Sequence, residues 1–498
     1  MTVAEKAFKG VSWLALFRLF SQLFSWAVTI FIARVLVPDD YGLMVMATIV
    51  TGYAEIFNEL GLGAAIIQKQ DIVTEHLSSV FWFSLGFSCL VALSCVPLSY
   101  LTAYLLHEPR VVPLTQAVSV IFILSGLQII PLNLIKKELG FKFLGFMMMV
   151  STVVSCVGMM IIATRGGGAW TLLGGRIIAF SVITCFVFAK TRYCPRLHFS
   201  YRELKPYVSF GLTKAFSGSI FYFWGKSDQF FAGRAWQSGT LGYYSLALQL
   251  SKIPTEKIVA LINQVAFSAF AKLQGNKEEF NRFYLSITKV SMLLVIPFFL
   301  GGFLTGDVIV TLLLTEKWSP IIDLFRYLCI AQIFIALNAN NSFVHFAQGR
   351  PKWGLYYQLA CAVFMPVSFY LVIPYGLNAI VIPWLTVNPI LCLVWVAITI
   401  RKIGITLPAY CANILGSLVA SAAMVCAVTA LRVGVDRASF DLALAAQLAI
   451  YVIGGGVAYL LVLFKLERAL FDKVAESVSG IVTVGMKRLR MSHDATKP

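Results

Sequence analysis

The sequence predicts an all-α integral membrane protein of about fourteen transmembrane helices, built as two six-helix bundles related by a parallel repeat and followed by two extra C-terminal helices. Three observations lead there: the solvent that the composition asks for, the spacing of the apolar runs, and the alternation of basic residues between the links. The 498 residues are 59% hydrophobic and 13% charged, with a mean hydropathy of +0.82. A water-soluble domain is about 45–50% apolar and about 25% charged, so hydrocarbon is the main solvent of this chain. A formal net charge of +17 would suit nucleic acid. The cations lie instead in short links between apolar runs, where membrane topology needs them, so no nucleic-acid partner is expected.

A helix needs about 20 apolar residues to cross the hydrocarbon core. Fourteen segments meet that rule, near 11–35, 41–67, 77–104, 111–135, 143–164, 168–189, 207–233, 241–271, 283–314, 321–347, 354–374, 376–400, 408–431 and 442–464. The first is too long for a secretory signal and carries Arg18 inside it. With the N-terminus inside, the cytoplasmic links and ends hold 25 Lys and Arg, against six in the opposite links: Arg110, Arg165, Arg234, Lys317, Arg432 and Arg437. That bias predicts both termini on the cytoplasmic side. The expected organisation is a bundle over 1–190, a cytoplasmic connector over 191–206 and a second bundle over 207–402. Segments thirteen and fourteen follow in 403–465, then a basic amphipathic tail over 466–498 suited to the anionic inner leaflet. Ten cysteines are scattered without CxxC or Cys/His spacing and read as packing residues, with no metal site.

The halves repeat at an offset of 200: Phe31, Arg34, Gly42 and Ala47 match Phe231, Arg234, Gly242 and Ala247 without a gap. Six segments separate the copies, so both insert the same way up. The expected axis runs along the membrane normal, with a cleft between the halves near the midplane.

Charges within the segments should face a cavity or a partner, because one at a helix centre costs about 2.5–3.5 kcal/mol on insertion scales. In segment one, Arg18, Ser21, Gln22, Ser25 and Thr29 form a polar stripe. Segment seven carries Tyr222, Lys226 and Gln229 on a face, with Lys214 and Asp228 nearby. Segment eight carries Lys252 and Glu256, with Lys257 beside them, and segment ten ends in Asn338, Asn341 and His345. These stripes predict one aqueous, net-cationic chamber suited to a phosphate or diphosphate, with Arg18, Gln22, Lys214, Lys226, Lys252, Lys257, Asn338 and Asn341 as its lining. Each has a plainer reading. Lys252 and Glu256 are four apart and could neutralise each other. Glu55, Glu59 and Asp228 are candidates for ion coupling, but Glu55 and Glu59 are read first as balancing Arg18. Arg34 and Arg234 are read as fixing helix ends, and Lys289 as reaching the cytoplasmic edge. Gly225-Lys226-Ser227 mimics the end of a P-loop, but the rest of that motif is missing, and no GxSxG or HExxH occurs. No catalytic role is expected.

Six stretches in this order resemble the polysaccharide exporters of the MOP superfamily, and more closely their Wzx-type colanic-acid and O-unit flippases: ARVLVPDDYGLMVMA (33–47), ELGLGAAIIQ (59–68), KKELGF (136–141), LGYYSLALQLSKIP (241–254), QVAFSAFAKLQ (264–274) and EKWSPIIDLF (316–325). Beyond about 405 only the hydrophobic pattern continues. The resemblance implies alternating access and an undecaprenyl-diphosphate-linked oligosaccharide, moved across a bacterial inner membrane for exopolysaccharide, O-antigen or capsule. It also implies driving by a proton or sodium gradient or the membrane potential rather than a bound cofactor. The implied partners are membrane lipids and the polymerase and chain-length regulator of the pathway. The similar lipid II flippases carry cations on helices one, two and eight. Here Arg18 and Lys252 or Lys257 match, while segment two offers Glu55 and Glu59. Gly416, Ala420, Gly454 and Gly455 in the last two segments could admit a prenyl tail or pack closely. A multidrug or cation antiporter would favour an acidic cavity, and a glycosyltransferase or polymerase of the pathway would need a large external loop. Neither feature is present in the pattern.

Overall fold

In hydrocarbon every backbone N–H and C=O must be bonded within its own segment, and a helix does this for all but its ends. The computed structural model describes residues 3–59, 66, 74–138, 140–201, 204, 216, 218–259, 262, 266, 269–270, 272–437 and 442–468, and among them there is no strand. The first half contributes α1 (Val3–Val35), α2 (Pro38–Glu59), α3 (Thr74–Leu106), α4 (Val111–Lys137), α5 (Phe141–Thr164) and α6 (Trp170–Thr191). The second contributes α7 (Ser227–Ala235), α8 (Ser238–Pro254), α9 (Lys277–Leu313), α10 (Ile321–Asn338), α11 (Pro351–Val372) and α12 (Val387–Ile403). Then come α13 (Leu407–Arg437) and α14 (Leu444–Leu466). The chain is therefore a multi-pass, all-α membrane protein.

Among the described residues, eleven helical segments are long and apolar enough to cross a bilayer. Those holding α2, α7 and α8 are not among them, so the expected fourteen counts apolar segments rather than established spans. α2 is diluted by Thr48, Thr51, Glu55 and Asn58, and segments seven and eight are described only in part. The amphipathic tail beyond residue 468 lies outside the described residues.

The chain packs as two compact units, one of residues 1–250, 313–324 and 352–391, the other of 251–312, 325–351 and 392–498. In the first, the links that charge bias assigned to one side of the membrane meet at one end. Arg110 from the α3–α4 link binds Asp39 at the start of α2 (2.7 Å), and a Cβ on Gly168, before α6, would come 2.8 Å from the Asp40 carboxylate. Arg34 at the end of α1 donates to the Leu313 carbonyl at the end of α9 (2.8 Å). Arg234 at the end of α7 donates to the Leu105 carbonyl near the end of α3 (3.1 Å). Both arginines cap orphan carbonyls of the third helix of the opposite half, the favourable place for a cation. Trp318, fully buried in the same end, donates to the Ala33 carbonyl (2.7 Å) and meets Tyr41 edge-on.

The repeat is written into this end. A Cβ on Gly42 would run into the Ser238 carbonyl, and one on Gly242 would run into the Pro38 carbonyl. Positions 38 and 238, like 42 and 242, are equivalents at the offset of 200, so α2 and α8 cross reciprocally, as a two-fold relation demands. Glycine is required on both sides because the opposing atoms are backbone and cannot swing away. At the opposite end, the connector is tied to the start of α3: the Trp82 indole donates to the Arg196 carbonyl (2.8 Å), and the Arg196 amide to Ser78 Oγ (3.1 Å).

The second unit is organised around α9. Lys289 pairs with Glu467, just after α14 (2.6 Å), and Asp307 accepts both Arg432 of α13 (2.5 Å) and Arg326 of α10 (3.2 Å). Along a helix Lys289 and Asp307 stand about 27 Å apart, close to the hydrocarbon thickness of about 30 Å. The ion pairs thus pin α13 and α14 to α9 near both ends of one span. Leu293, between these positions, and Val308, next to Asp307, pack with Met424, Val428, Tyr451 and Tyr459.

Candidate functional site

The described residues of the first unit line an open-sided cavity of about 500 Å³, within the range of small-ligand pockets. α2 supplies Ile49, Val50, Tyr53, Ala54 and Phe57, and α3 supplies Val91 and Leu98. The remaining wall comes from Tyr222 and Phe223 in the helical run 218–225, and from Lys226, Ser227, Phe230 and Phe231. The chain turns at Lys226, where φ is −121° and ψ is 1°, before α7 resumes. Such interruptions inside a membrane segment occur where backbone lines a cavity or is buried in protein.

Lys226 is the one charged side chain among the lining residues, and its ammonium donates to Gln229 Oε1 at 2.9 Å. Two lining hydroxyls are committed to backbone: Tyr222 Oη donates to the Ile49 carbonyl (2.8 Å) and Ser227 Oγ to the Trp224 carbonyl (2.7 Å). A sugar here would bury hydroxyls with few partners, at about 1–3 kcal/mol for each one left unbonded. The walls therefore favour apolar groups beside a single cation. The sequence missed this cavity because it read the polar faces. The aromatic residues at Tyr53 and Phe57, and at Tyr222 and Phe230, are spaced on their helices like any core.

Behind the cavity lies a closed chain of hydrogen bonds. Asp228 is fully buried and accepts from Tyr244 Oη (2.5 Å) and from the Gln229 amide (2.7 Å), while Trp384 Nε1 donates to Tyr244 Oη (2.9 Å). As a residue of the first turn of α7, Asp228 also sits favourably against the helix dipole.

The other predicted residues divide between the units. In the first, Arg18 is exposed on α1 and Gln22 is half-buried. The hydroxyls of that stripe turn back on their own helix: Ser21 donates to the Phe17 carbonyl (2.7 Å) and Thr29 to the Ser25 carbonyl (2.8 Å). The expectation that Glu55 balances Arg18 is corrected. Glu55 pairs with Arg176 of α6 at 3.4 Å, a partner 121 residues away that helical spacing could not reveal. In the second unit, Lys252 is half-buried just before a π-helical turn, Thr255–Val259, which shifts the register and breaks the face assumed to run from Lys252 through Glu256. Asn341 is buried, donates to Asn338 Oδ1 (3.0 Å) and accepts from Tyr284 Oη (2.8 Å). His345 Nε2 lies 3.0 Å from Thr399 Oγ1. Lys214 and the side chains of Glu59 and Lys257 lie outside the described residues.

At the end of the first unit where the glycines cross, Arg110 joins Asp39 and Glu108, and Ser238 Oγ donates to Asp39 in a short bond. The Arg110 guanidinium holds the Glu108 carboxyl below the usual carboxylate range. Burial lowers the Lys317 ammonium, which donates to the Arg34 carbonyl at 2.7 Å.

Comparison with known proteins places this architecture. The chain is similar to the lipopolysaccharide biosynthesis protein WzxC of Escherichia coli (strain K12), 25% identical over 66% of this chain and 68% of that one. It is 24% identical to the teichuronic acid biosynthesis protein TuaB of Bacillus subtilis (strain 168), over 83% and 86% of the two chains. It is 23% identical to the succinoglycan biosynthesis transport protein ExoT of Rhizobium meliloti (strain 1021), over 64% of each. In fold it resembles the lipid II flippase MurJ in an inward closed conformation, with a TM-score of 0.70 at 14% identity over 92% of this chain and 100% of that one. An inward-facing MATE multidrug transporter of the MOP superfamily follows at 0.61 and 16%, over 77% and 94%. With a family match that runs from residue 31 in α1 to residue 323 in α10, the chain belongs to the polysaccharide biosynthesis protein family.

Proposed function

We propose that this protein is a flippase that carries a polyprenyl-diphosphate-linked oligosaccharide from the inner to the outer leaflet of a bacterial inner membrane, with both termini in the cytoplasm. The observation that carries this reading is the pairing of a MurJ-like fold with relatives named for three different polysaccharides: lipopolysaccharide, teichuronic acid and succinoglycan. A sugar chain cannot cross hydrocarbon unaided, because each hydroxyl would give up its hydrogen bonds to water. A protein that serves this step needs a path for the sugar and a site for the lipid's phosphate. The cations Arg18, Lys226 and Lys252 are the candidates for the phosphate. The charge bias of the links supports the orientation.

Opening and closing would alternate about the two-fold crossing of α2 and α8, driven by a proton or sodium gradient or the membrane potential rather than by a cofactor. The reading is transport and not catalysis, with the polymerase and chain-length regulator of the pathway as downstream partners. Lys226 in the wall of the aromatic cavity disfavours the antiporter reading, since it would repel a cationic drug. The test is reconstitution: purified protein in liposomes with a polyprenyl-diphosphate oligosaccharide, scored by access of an external lectin. Protein-dependent exposure that falls in Arg18→Ala supports the reading, and no exposure with a matched sugar overturns it.

A further inference from the structure

We propose that the cavity between α2, α3 and α7 holds the phosphate-proximal isoprene units of the lipid carrier, with the Lys226 ammonium as counter-charge to the phosphate. The proposal rests on the flippase reading and deepens it by assigning the stem, rather than the sugar, to this cavity. Two independent observations carry it. The first is the chemistry of the walls. Ile49, Val50, Ala54, Val91 and Leu98 are aliphatic, and Tyr222 and Ser227 spend their hydroxyls on backbone carbonyls. A ligand that gains from such walls is hydrocarbon, and the one charge it must present beside Lys226 is negative. An isoprenoid phosphate has both parts in this order.

The second observation concerns the other place where a prenyl chain could lie. Gly416, Ala420, Gly454 and Gly455 of α13 and α14 are used for packing, while Gly434 and Gly456 face open space. A Cβ on Gly454 would run into Leu431, one on Gly455 would approach Val428 at 2.6 Å, and one on Gly416 would approach Glu467 at 2.7 Å. Ala420 is fully buried. These positions leave no slot for a chain between α13 and α14. A volume of about 500 Å³ also holds only part of a long polyprenyl chain, so the remainder would extend into the bilayer.

The test uses the full-length protein in nanodiscs with farnesyl phosphate bearing a terminal diazirine, followed by mass mapping of the photolabelled peptides. Labelling is expected within 49–57, 91–98 and 222–231. Ala54→Phe and Leu98→Trp, each of which fills the cavity from a different helix, should each reduce it about fivefold or more. Lys226→Gln should weaken labelling by the phosphate about tenfold and leave labelling by the matching farnesol unchanged, and Lys226→Arg should restore it. Thermal melting of each variant separates loss of the cavity from loss of the fold. Labels concentrated on other helices, or labelling indifferent to both cavity-filling variants, would overturn the site. Flipping of the oligosaccharide that persists while the stem labels elsewhere removes this assignment and leaves the flippase reading standing. Stem labelling at the cavity without any flipping removes the reading instead.

Discussion

The two copies of the repeat agree where the helices cross and part company where the site lies. Residues 31–35 and 231–235 show the same order of half-buried, buried and exposed positions. Gly42 faces the backbone at Ser238 and Gly242 the backbone at Pro38, and Ala47 and Ala247 are both fully buried. A few residues away the equivalence of side chains ends. The partner of Arg18 is Gly218, that of Lys226 is Trp26, that of Asp228 is Val28 and that of Glu55 is Thr255. The backbone diverges too: α1 runs unbroken through Trp26, while its counterpart turns at Lys226, and α2 continues regularly where α8 passes into a π-turn. Duplication has kept the frame, whose geometry must close on both sides at once. It has left each copy free to carry its own chemistry.

The strongest way to break this comparison is at the crossing. Gly42→Val and Gly242→Val should both abolish the folded protein, and the alanine variants should lower stability by a similar amount in each copy, about 1–3 kcal/mol or more, because the obstacle is backbone. Melting in detergent measures this, and a copy that tolerates alanine freely would show that the crossing is not reciprocal. Asp228→Ala should cost about 1–3 kcal/mol by leaving the Tyr244 hydroxyl and the Gln229 amide without their acceptor, whereas its equivalent Val28 has no such bonds to lose. Lys226→Gln should cut transport about tenfold, while Trp26→Phe should change it little; equal effects would mean that the copies share the site as well as the frame. Arg34→Ala and Arg234→Ala should each cost no more than about 1 kcal/mol, and by nearly equal amounts, since each removes one exposed cap of a helix end.

The smallest effect belongs to the link cluster. Arg110 lowers the Glu108 pKa in the folded state, so this pair contributes stability above the unfolded pKa of about 4.3. That contribution is lost as pH falls through the lowered folded value. The cluster is partly open to solvent, so the loss should stay within about 1 kcal/mol. A shallower acid limb in the melting profile of Glu108→Gln is the signature, and an unchanged limb would remove the pair from the account.

Much of the frame was legible because membrane solvation acts locally. A run of apolar residues must become a helix, and a basic link must stay on its side, whatever the rest of the chain does. The repeat was legible because Arg34 and Arg234, and Gly42 and Gly242, serve the same contact from both sides. The site was legible only in part. Lys226 and Asp228 announced themselves as charges in an apolar segment, and the structure gives each a definite place. Glu55 was assigned the wrong partner, since Arg176 is near it only after α6 has packed.

The sequence by itself determined the solvent, the helical class, the family and the two-fold frame, because each follows from composition, from a pattern along one helix or from matches between stretches of the chain. Tertiary structure alone decided which charges pair, which glycines pack, and that aromatic and aliphatic side chains from α2, α3 and residues 222–231 line an open-sided cavity in which Lys226 is the one charged side chain among the described residues. The physical reason is that pairing and enclosure depend on distances between helices, and periodicity along a helix carries no record of those distances.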